Sequence, residues 1–174
     1  ASIMQERTHA FAMKSQMWLL DPRPNLPSIV AMVKTGFELS EASNTPVMLM
    51  LRIRACHVHG RFIARDNVRP GFTIRHALDK PTRSYDRIIL PPSTYLQEQE
   101  KIQKRWPAAV EFITRNHLNE FFDGTRTDVG IVLQGGLYNG VLRSLENLGL
   151  ADPFGRSEIP LYVLNVTYPL IREE

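Results

Sequence analysis

The chain has 174 residues, of which 43% are hydrophobic and 22% are charged, a composition typical of a folded globular protein rather than a disordered one. The net charge of +3 is too small to indicate nucleic-acid binding, which needs many cations on one face. Cys56 is the single cysteine and excludes an internal disulfide, and no apolar run is long enough to span a membrane. We therefore expect a cytoplasmic protein without a nucleic-acid or membrane partner.

A strand, a helix and a second strand open the pattern. Residues 18–20 are an apolar run ended by Asp-Pro, which is typical of a strand that enters a loop. Asn25 is a good helix N-cap, and the residues after it predict a buried helical stripe of Leu26, Val30, Val33 and Phe37. The helix should end near Asn44, because Pro46 follows closely. Residues 47–51 then form an unbroken apolar strand, as expected in a parallel sheet.

Residues 60–92 contain few structural signals and many cations. Between residues 60 and 90, seven basic side chains outnumber three acidic ones: Arg61, Arg65, Arg69, Arg75, Lys80, Arg83 and Arg87 against Asp66, Asp79 and Asp86. Two interpretations are open. The arginines could be solvated and paired with acidic neighbours, or they could contact a phosphate or an acidic partner. We expect a basic linker here.

A long helix is predicted to begin at Ser93, after Pro91-Pro92. Pro107 lies within its apolar pattern and should kink or split the helix, since proline removes one helical hydrogen bond and clashes with the preceding turn. Asp123-Gly124 should end this segment.

A second strand–helix–strand unit follows. Residues 128–133 predict a strand, and Gly135-Gly136 a turn into a helix that ends at Gly149. Residues 161–166 predict the next strand. The fold class is therefore α/β, with two partial parallel βαβ units joined by the basic linker and the kinked helix. Neither unit is a full domain, so we expect an internal piece of a larger protein.

The turn at Gly135 and Gly136 is the first candidate site, together with Asn139 in the following helix. Two interpretations are open: the glycines supply a tight turn with positive φ, or their backbone N–H groups face an anionic ligand at the helix N-terminus.

The end of the 47–51 strand supplies the second candidate site. Arg52 and Arg54 alternate along an extended chain and should share one face, where they suit a carboxylate, a phosphate or ion pairs to a neighbouring domain. His57 could contact a domain interface or be a structural histidine. Metal binding would need further ligands beside Cys56, His57 and His59, with His76 as the only nearby candidate, so we predict no metal site.

These segments together resemble a known family. Phe37-Glu-Leu-Ser-Glu, the run Thr45-Pro-Val-Met-Leu-Met-Leu-Arg-Ile-Arg and His57 resemble the last helix and strand of the first domain of indolepyruvate ferredoxin oxidoreductases. Residues 128–138 and 161–170 resemble the opening of the second, transketolase-like domain of that family. The resemblance implies residues 1–59 as the end of a pyrimidine-binding-like domain, 60–92 as the linker, and 93–174 as a helix plus the start of a transketolase C-terminal-like domain.

The resemblance also implies the chemistry of a parent enzyme: thiamine-diphosphate-dependent oxidation of a 2-oxoacid, with coenzyme A as acceptor and electrons passed through an iron–sulfur cluster to ferredoxin. This chain has neither the family's Gly-Asp-Gly…Asn motif for magnesium diphosphate nor enough cysteines for a cluster. We therefore expect the chain itself to carry no cofactor and no catalytic residue. Its partners would be other domains of the parent, with a homodimer possible. The alternative is a free-standing α/β module that binds a ligand or partner at the Gly135-Gly136 turn.

Overall fold

The protein is represented by a computed structural model that describes residues 7–79, 81 and 85–174. Lys80 and Arg83 of the predicted basic linker lie outside these residues. Within the described ranges, the strands form two three-stranded sheets, and the fold is α/β as the sequence predicts.

The first sheet, sheet A, is built on the first predicted unit. Strands β1 (Trp18–Leu20) and β2 (Val47–Leu49) are parallel and are connected by helix α2 (Leu26–Ser43). Asn25 caps α2 as predicted, because its side-chain oxygen accepts a 2.9 Å hydrogen bond from the Ser28 amide. The third strand, β6 (Val166–Tyr168), was not predicted and pairs antiparallel with β1.

The second sheet, sheet B, is built on the second predicted unit. Strands β4 (Ile131–Gln134) and β5 (Leu161–Leu164) are parallel and are connected by helix α7 (Tyr138–Asn147). Strand β3 (Glu120–Phe122) adds to β5 in the antiparallel direction. The predicted strand 161–166 is therefore two strands: the chain leaves sheet B at Leu164 and enters sheet A at Val166.

The long helix is continuous, but its hydrogen bonding changes before Pro107. Helix α5 (Ser93–Glu100) passes through a π-helical turn (Lys101–Arg105) into helix α6 (Trp106–Arg115). The Trp106 amide bonds to the Lys101 carbonyl five residues back. A proline at 107 cannot donate to the carbonyl four residues earlier, and the wider turn accommodates it. The predicted split at Pro107 was wrong: the helix runs on through the proline, and the change in hydrogen bonding lies in the turn before it. A kink there stays a prediction.

The predicted end of this segment at Asp123-Gly124 was wrong. Helix α6 stops at Arg115, and His117 has a positive φ of 49°, a left-handed conformation that a helix cannot continue through. Strand β3 occupies the residues just before Asp123.

The predicted buried stripe of α2 was also wrong. The buried side chains are Met32, Leu39 and Ser43, whereas Val30, Val33 and Phe37 are exposed. Gly36 explains the difference, because a Cβ at that position would lie 3.3 Å from Leu20 Cδ1. The helix therefore approaches the sheet on the side of Met32, Gly36 and Leu39, and the predicted stripe faces outward.

The main hydrophobic core combines residues from both ends of the chain. Helices α2 and α6 pack together over sheet A. Trp106 meets the Trp18 and Tyr168 rings edge-on, with centroids 5.4 Å apart in both pairs. A smaller core lies between α7 and sheet B. Because one core draws on residues 1–59 and on residues 93–174, the two predicted domain parts are tightly packed against each other.

The other described helices are short: α1 (Thr8–Ser15), α3 (Ile53–Cys56), α4 (Ile74–Asp79), and single 3₁₀ turns at Tyr85–Arg87 and Gly135–Leu137. Among the described residues, none of the helices combines the length and the apolar character that crossing a bilayer requires.

Candidate functional site

Polar side chains converge where the two sheets meet, and we call this group the inter-sheet polar cluster. Its members come from the loop after β1, the loop after β2, strand β3, the end of β4 and the link between β5 and β6: Asp21, Arg23, Arg52, Glu120, Gln134 and Asn165.

Asp21 is the most deeply buried charge in the cluster. It directly follows β1, and its side chain is only 1% exposed. The Arg52 guanidinium donates to both carboxylate oxygens, with Nη2 2.7 Å from Oδ2. A buried carboxylate without a partner would be very costly, so Arg52 is needed where it lies.

Arg52 also connects the two sheets. Its Nη2 donates to Gln134 Oε1 at 2.5 Å, at the last residue of β4. A single guanidinium thus joins the loop after β1 to the end of a strand in the other sheet. Since its Nε and Nη2 donate to Asp21 and Gln134, the guanidinium is engaged within this chain.

Gly135 and Gly136 lie directly against this contact. A Cβ on Gly135 would lie 2.1 Å from the Asp21 carbonyl oxygen, and one on Gly136 would lie 2.4 Å from Arg52 Nε and Asp21 Oδ1. Neither glycine has a positive φ. The glycines with a positive φ are Gly149 and Gly155. The prediction of a positive-φ turn was therefore wrong: glycine is required here by close packing between the sheets.

Arg23 forms the second ion pair of the cluster. Its Nε and Nη2 each donate to a Glu120 carboxylate oxygen at 2.6 Å, a bidentate pair. The guanidinium carbon also lies 5.2 Å from the Phe122 ring centroid and 4.9 Å from that of Tyr138. Arg23 is thus held by charge and by two aromatic rings.

The environment of Glu120 lowers the pKa of its carboxyl group. Burial alone would raise this pKa, but hydrogen bonds from Arg23 and Asn165, and the positive charge of Arg23, favour the ionised form and outweigh it. Glu120 is therefore a permanent anion at neutral pH.

Asn165 occupies the crossing point between the sheets. Its amide group donates to the Leu118 carbonyl at 2.9 Å and to Glu120 at 2.8 Å, and its side-chain oxygen accepts from the Arg23 amide at 3.1 Å. Its backbone carbonyl accepts from the Asp21 amide at 2.8 Å. One side chain therefore ties β3, the β1 loop and the β5–β6 link together.

The structure brings three of the sequence-predicted site residues together and separates the others. Arg52, Gly135 and Gly136 meet in the cluster, and Asn139 donates to the Pro24 carbonyl at 3.3 Å nearby. Arg54 and His57 are exposed at α3. Arg52 and Arg54 do not share a strand face, because β2 ends at Leu49 and the chain becomes helical at Ile53. A ligand role for any of these residues stays a prediction.

Sequence reasoning missed five of the six members of the cluster: Asp21, Arg23, Glu120, Gln134 and Asn165. Asp21 follows the carboxyl end of a parallel strand, where functional polar residues commonly lie, and this signal could have indicated it. Arg23, Glu120 and Asn165 stand in no motif, and their contacts depend on strand pairs that bring distant parts of the chain together.

The described residues contain few candidate ligands for the cofactors of the predicted parent. Among them, no three His, Cys, Asp or Glu side chains are grouped to hold a metal ion. Cys56 is a lone, exposed thiol, whereas an iron–sulfur cluster usually takes four.

The chain is thus an α/β unit whose two sheets are held together by paired charges. It is 28% identical over 167 residues to the indolepyruvate oxidoreductase subunit IorA of Methanothermobacter thermautotrophicus. It is 25% identical over 166 residues to the protein of the same name from Methanothermobacter marburgensis. The matches cover 95% of this chain and 25% of each relative, so the chain spans about a quarter of their length.

No family model matches the chain, and no solved structure matches it. The similarity to the two subunits, which covers nearly all of the chain, supports an origin related to indolepyruvate oxidoreductases.

Proposed function

We propose that this chain is a structural part of a thiamine-diphosphate-dependent 2-oxoacid:ferredoxin oxidoreductase of the indolepyruvate type. The observation that carries the proposal is the match of almost the whole chain to one quarter of two indolepyruvate oxidoreductase subunits. In this proposal, residues 1–59 close a pyrimidine-binding-like domain, residues 60–92 are a basic linker, and residues 93–174 begin a transketolase C-terminal-like domain.

The inter-sheet polar cluster supports an architectural role. Arg52 pairs with Asp21 and Gln134, and Arg23 pairs with Glu120, so the charged groups at the junction bind one another. A catalytic group would instead need a free nucleophile or a proton acceptor facing open space. These contacts fix the position of one sheet on the other, which is what a joint between two domains requires.

The whole enzyme, in this proposal, is cytoplasmic and oxidises an aryl-pyruvate or related 2-oxoacid to an acyl-coenzyme A. The cofactor supplies the carbanion chemistry, and an iron–sulfur cluster elsewhere in the parent passes electrons to ferredoxin. The partners of this chain are then the other domains and subunits of that enzyme.

The alternative of a free-standing module at the Gly135-Gly136 turn has less support. An added Cβ on either glycine would collide with other residues of this chain, Asp21 in both cases and also Arg52 beside Gly136. Close packing between the sheets therefore accounts for both glycines without a ligand.

Reading the gene on both sides of these residues and assaying its full product tests the proposal. We expect the full product, with its partner subunit, to reduce ferredoxin when given indolepyruvate and coenzyme A. We expect calorimetry to show no binding of thiamine diphosphate with Mg²⁺ to the 174-residue chain. A complete gene of this length, or micromolar binding of the cofactor to the chain alone, would contradict the proposal.

A further inference from the structure

A groove lies between helix α2 and the start of the predicted linker. It has a volume of about 720 Å³, and its lining includes Val30, Ala31 and Phe62 as well as the cations Lys34, Arg61 and Arg65. The groove therefore combines an apolar surface with positive charge, and none of its lining residues belongs to the inter-sheet polar cluster.

The apolar surface continues along α2 beyond this groove. Val30, Val33 and Phe37 are 38%, 45% and 70% exposed and follow one another at helical spacing. Val33 and Phe37 also line a second depression of about 210 Å³ that reaches β2. A contiguous apolar patch of this kind on a protein surface marks an interaction site.

The positive charge of the groove indicates which chemical groups a ligand of this surface carries. Lys34 pairs with Glu38 at 2.9 Å, whereas Arg61 and Arg65 have no ion pair within the part of the chain that the structure describes. Guanidinium groups recognise carboxylates through two parallel hydrogen bonds. The complementary surface therefore carries carboxylates beside aliphatic or aromatic side chains.

We infer that the groove and the exposed stripe of α2 bind an amphipathic helix of another polypeptide, with one apolar face and acidic residues at its edge. Helix α2 has 18 residues and is therefore about 27 Å long, enough to seat a partner helix of similar length. Binding would bury the apolar stripe and neutralise the two arginines, as in other helix-in-groove complexes. This goes beyond the proposed function, since it does not depend on the chemistry of the parent enzyme.

A protein partner fits this surface better than a polyanion does. Lipid recognition by charge uses clusters of about four to eight cations, whereas the groove has three, one of them paired with Glu38. The valines of α2 offer nothing to a phosphate backbone. Apolar and charged contacts together are what an acidic amphipathic helix satisfies.

Fluorescence anisotropy with three labelled synthetic helices of 18 residues tests the inference. The first has a leucine stripe flanked by glutamates, the second has the same stripe flanked by lysines, and the third keeps the glutamates but replaces leucine with alanine. We expect the first to bind the chain, and the other two to bind about tenfold more weakly or not at all. Equal binding of the first two peptides would overturn the role of the arginines.

Matched variants locate the binding surface. Arg61→Glu with Arg65→Glu should abolish binding, whereas Arg115→Glu with Arg156→Glu makes the same change in charge on exposed residues elsewhere and should not. Phe37→Asp should also abolish binding, whereas Phe154→Asp, at a side chain that is 92% exposed, should not. Circular dichroism of each variant establishes that it is folded. Equal losses of peptide binding in the two members of each matched pair would show that the peptide does not bind at this surface.

Two further ligands and a measurement of self-association distinguish other occupants of the same surface. A single-stranded RNA oligonucleotide or phosphatidylserine vesicles that bind the chain, and lose binding in the Arg61→Glu/Arg65→Glu variant, would identify a polyanion site and overturn the inference. So would self-association of the chain, measured by analytical ultracentrifugation, that disappears in the same variant and in Phe37→Asp.

Discussion

The inter-sheet polar cluster and residues 61–79 are both rich in arginine, but they use it in opposite ways. In the cluster, Arg23 and Arg52 are partly buried and paired with carboxylates of the same chain. Every residue from 61 to 79 is exposed, and the four arginines there have no ion pair within the described residues. The cluster thus holds this chain together, whereas the exposed segment has charge and apolar surface left for a second molecule.

This comparison predicts a large loss of stability when an arginine of the inter-sheet polar cluster is replaced. Arg52→Met should lower the free energy of unfolding by about 3 kcal/mol, because it leaves the buried Asp21 carboxylate without its partner. Arg54→Met, two residues along on the exposed side of α3, should change it by less than about 0.5 kcal/mol. Urea unfolding of both variants measures the difference. Similar losses in the two variants would show that the cluster does not hold the sheets together.

Packing at the same contact predicts the next largest effect. Gly135→Ala should cost about 2 to 3 kcal/mol, since its Cβ would lie 2.1 Å from the Asp21 carbonyl oxygen. Gly140→Ala is the matched change in α7, where a Cβ meets nothing within 4 Å, and it should stabilise the protein by about 0.5 to 1 kcal/mol. The melting temperature and the urea midpoint should thus fall for Gly135→Ala and rise for Gly140→Ala. A shift in the same direction for both variants would contradict the close packing at Gly135.

The second ion pair predicts a smaller effect that depends on pH. Glu120→Gln should cost about 1 to 2 kcal/mol at pH 7, because it removes the charge from a bidentate hydrogen bond. The pKa of Glu120 is lowered by folding, so its stabilisation is present above the ordinary glutamate pKa and is lost as pH falls through the folded value. The wild-type and variant stabilities should therefore converge in acid.

Unfolding at a series of pH values measures this convergence, with Glu111→Gln as the control. Glu111 is exposed, and its Oε1 lies 4.0 Å from Arg115 Nη1. Its replacement should therefore have little effect on stability at any pH. A gap between wild type and Glu120→Gln that stays constant down to low pH would show that the charge of Glu120 is not what stabilises the pair.

Local signals in the sequence were enough to predict the two crossover units. Asn25 capped its helix, Asn44 followed its end, and Gly149 has the positive φ of 72° expected of a helix-ending glycine. Each of these depends on contacts between residues a few positions apart, which the sequence displays directly. The parallel pairs followed, because a strand, a helix and a strand in succession connect in this way.

The antiparallel strands and the polar cluster could not be predicted in this way. Strand β6 pairs with β1 across most of the length of the chain, and no local pattern near Val166 or Leu20 indicates that pairing. The same holds for Arg23 and Glu120, whose contact exists only once both sheets are formed. The prediction that the apolar stripe of α2 is buried failed for a related reason. Helical spacing of apolar residues indicates that a face is apolar, but it does not show whether this chain or another molecule packs against that face.

The smallest predicted effect is at the exposed segment. Arg61→Glu with Arg65→Glu should change the free energy of unfolding by less than about 0.5 kcal/mol, because neither side chain has an ion pair within the described residues. Urea unfolding measures this, with Arg115→Glu and Arg156→Glu as the control for the change in net charge.

A loss of stability in the Arg61→Glu/Arg65→Glu variant alone would mean that these arginines form contacts inside the chain, as Arg52 does. The contrast between the two regions would then disappear. An unchanged stability together with lost binding of the acidic helix would instead separate folding from recognition, and would assign the two kinds of arginine to different tasks.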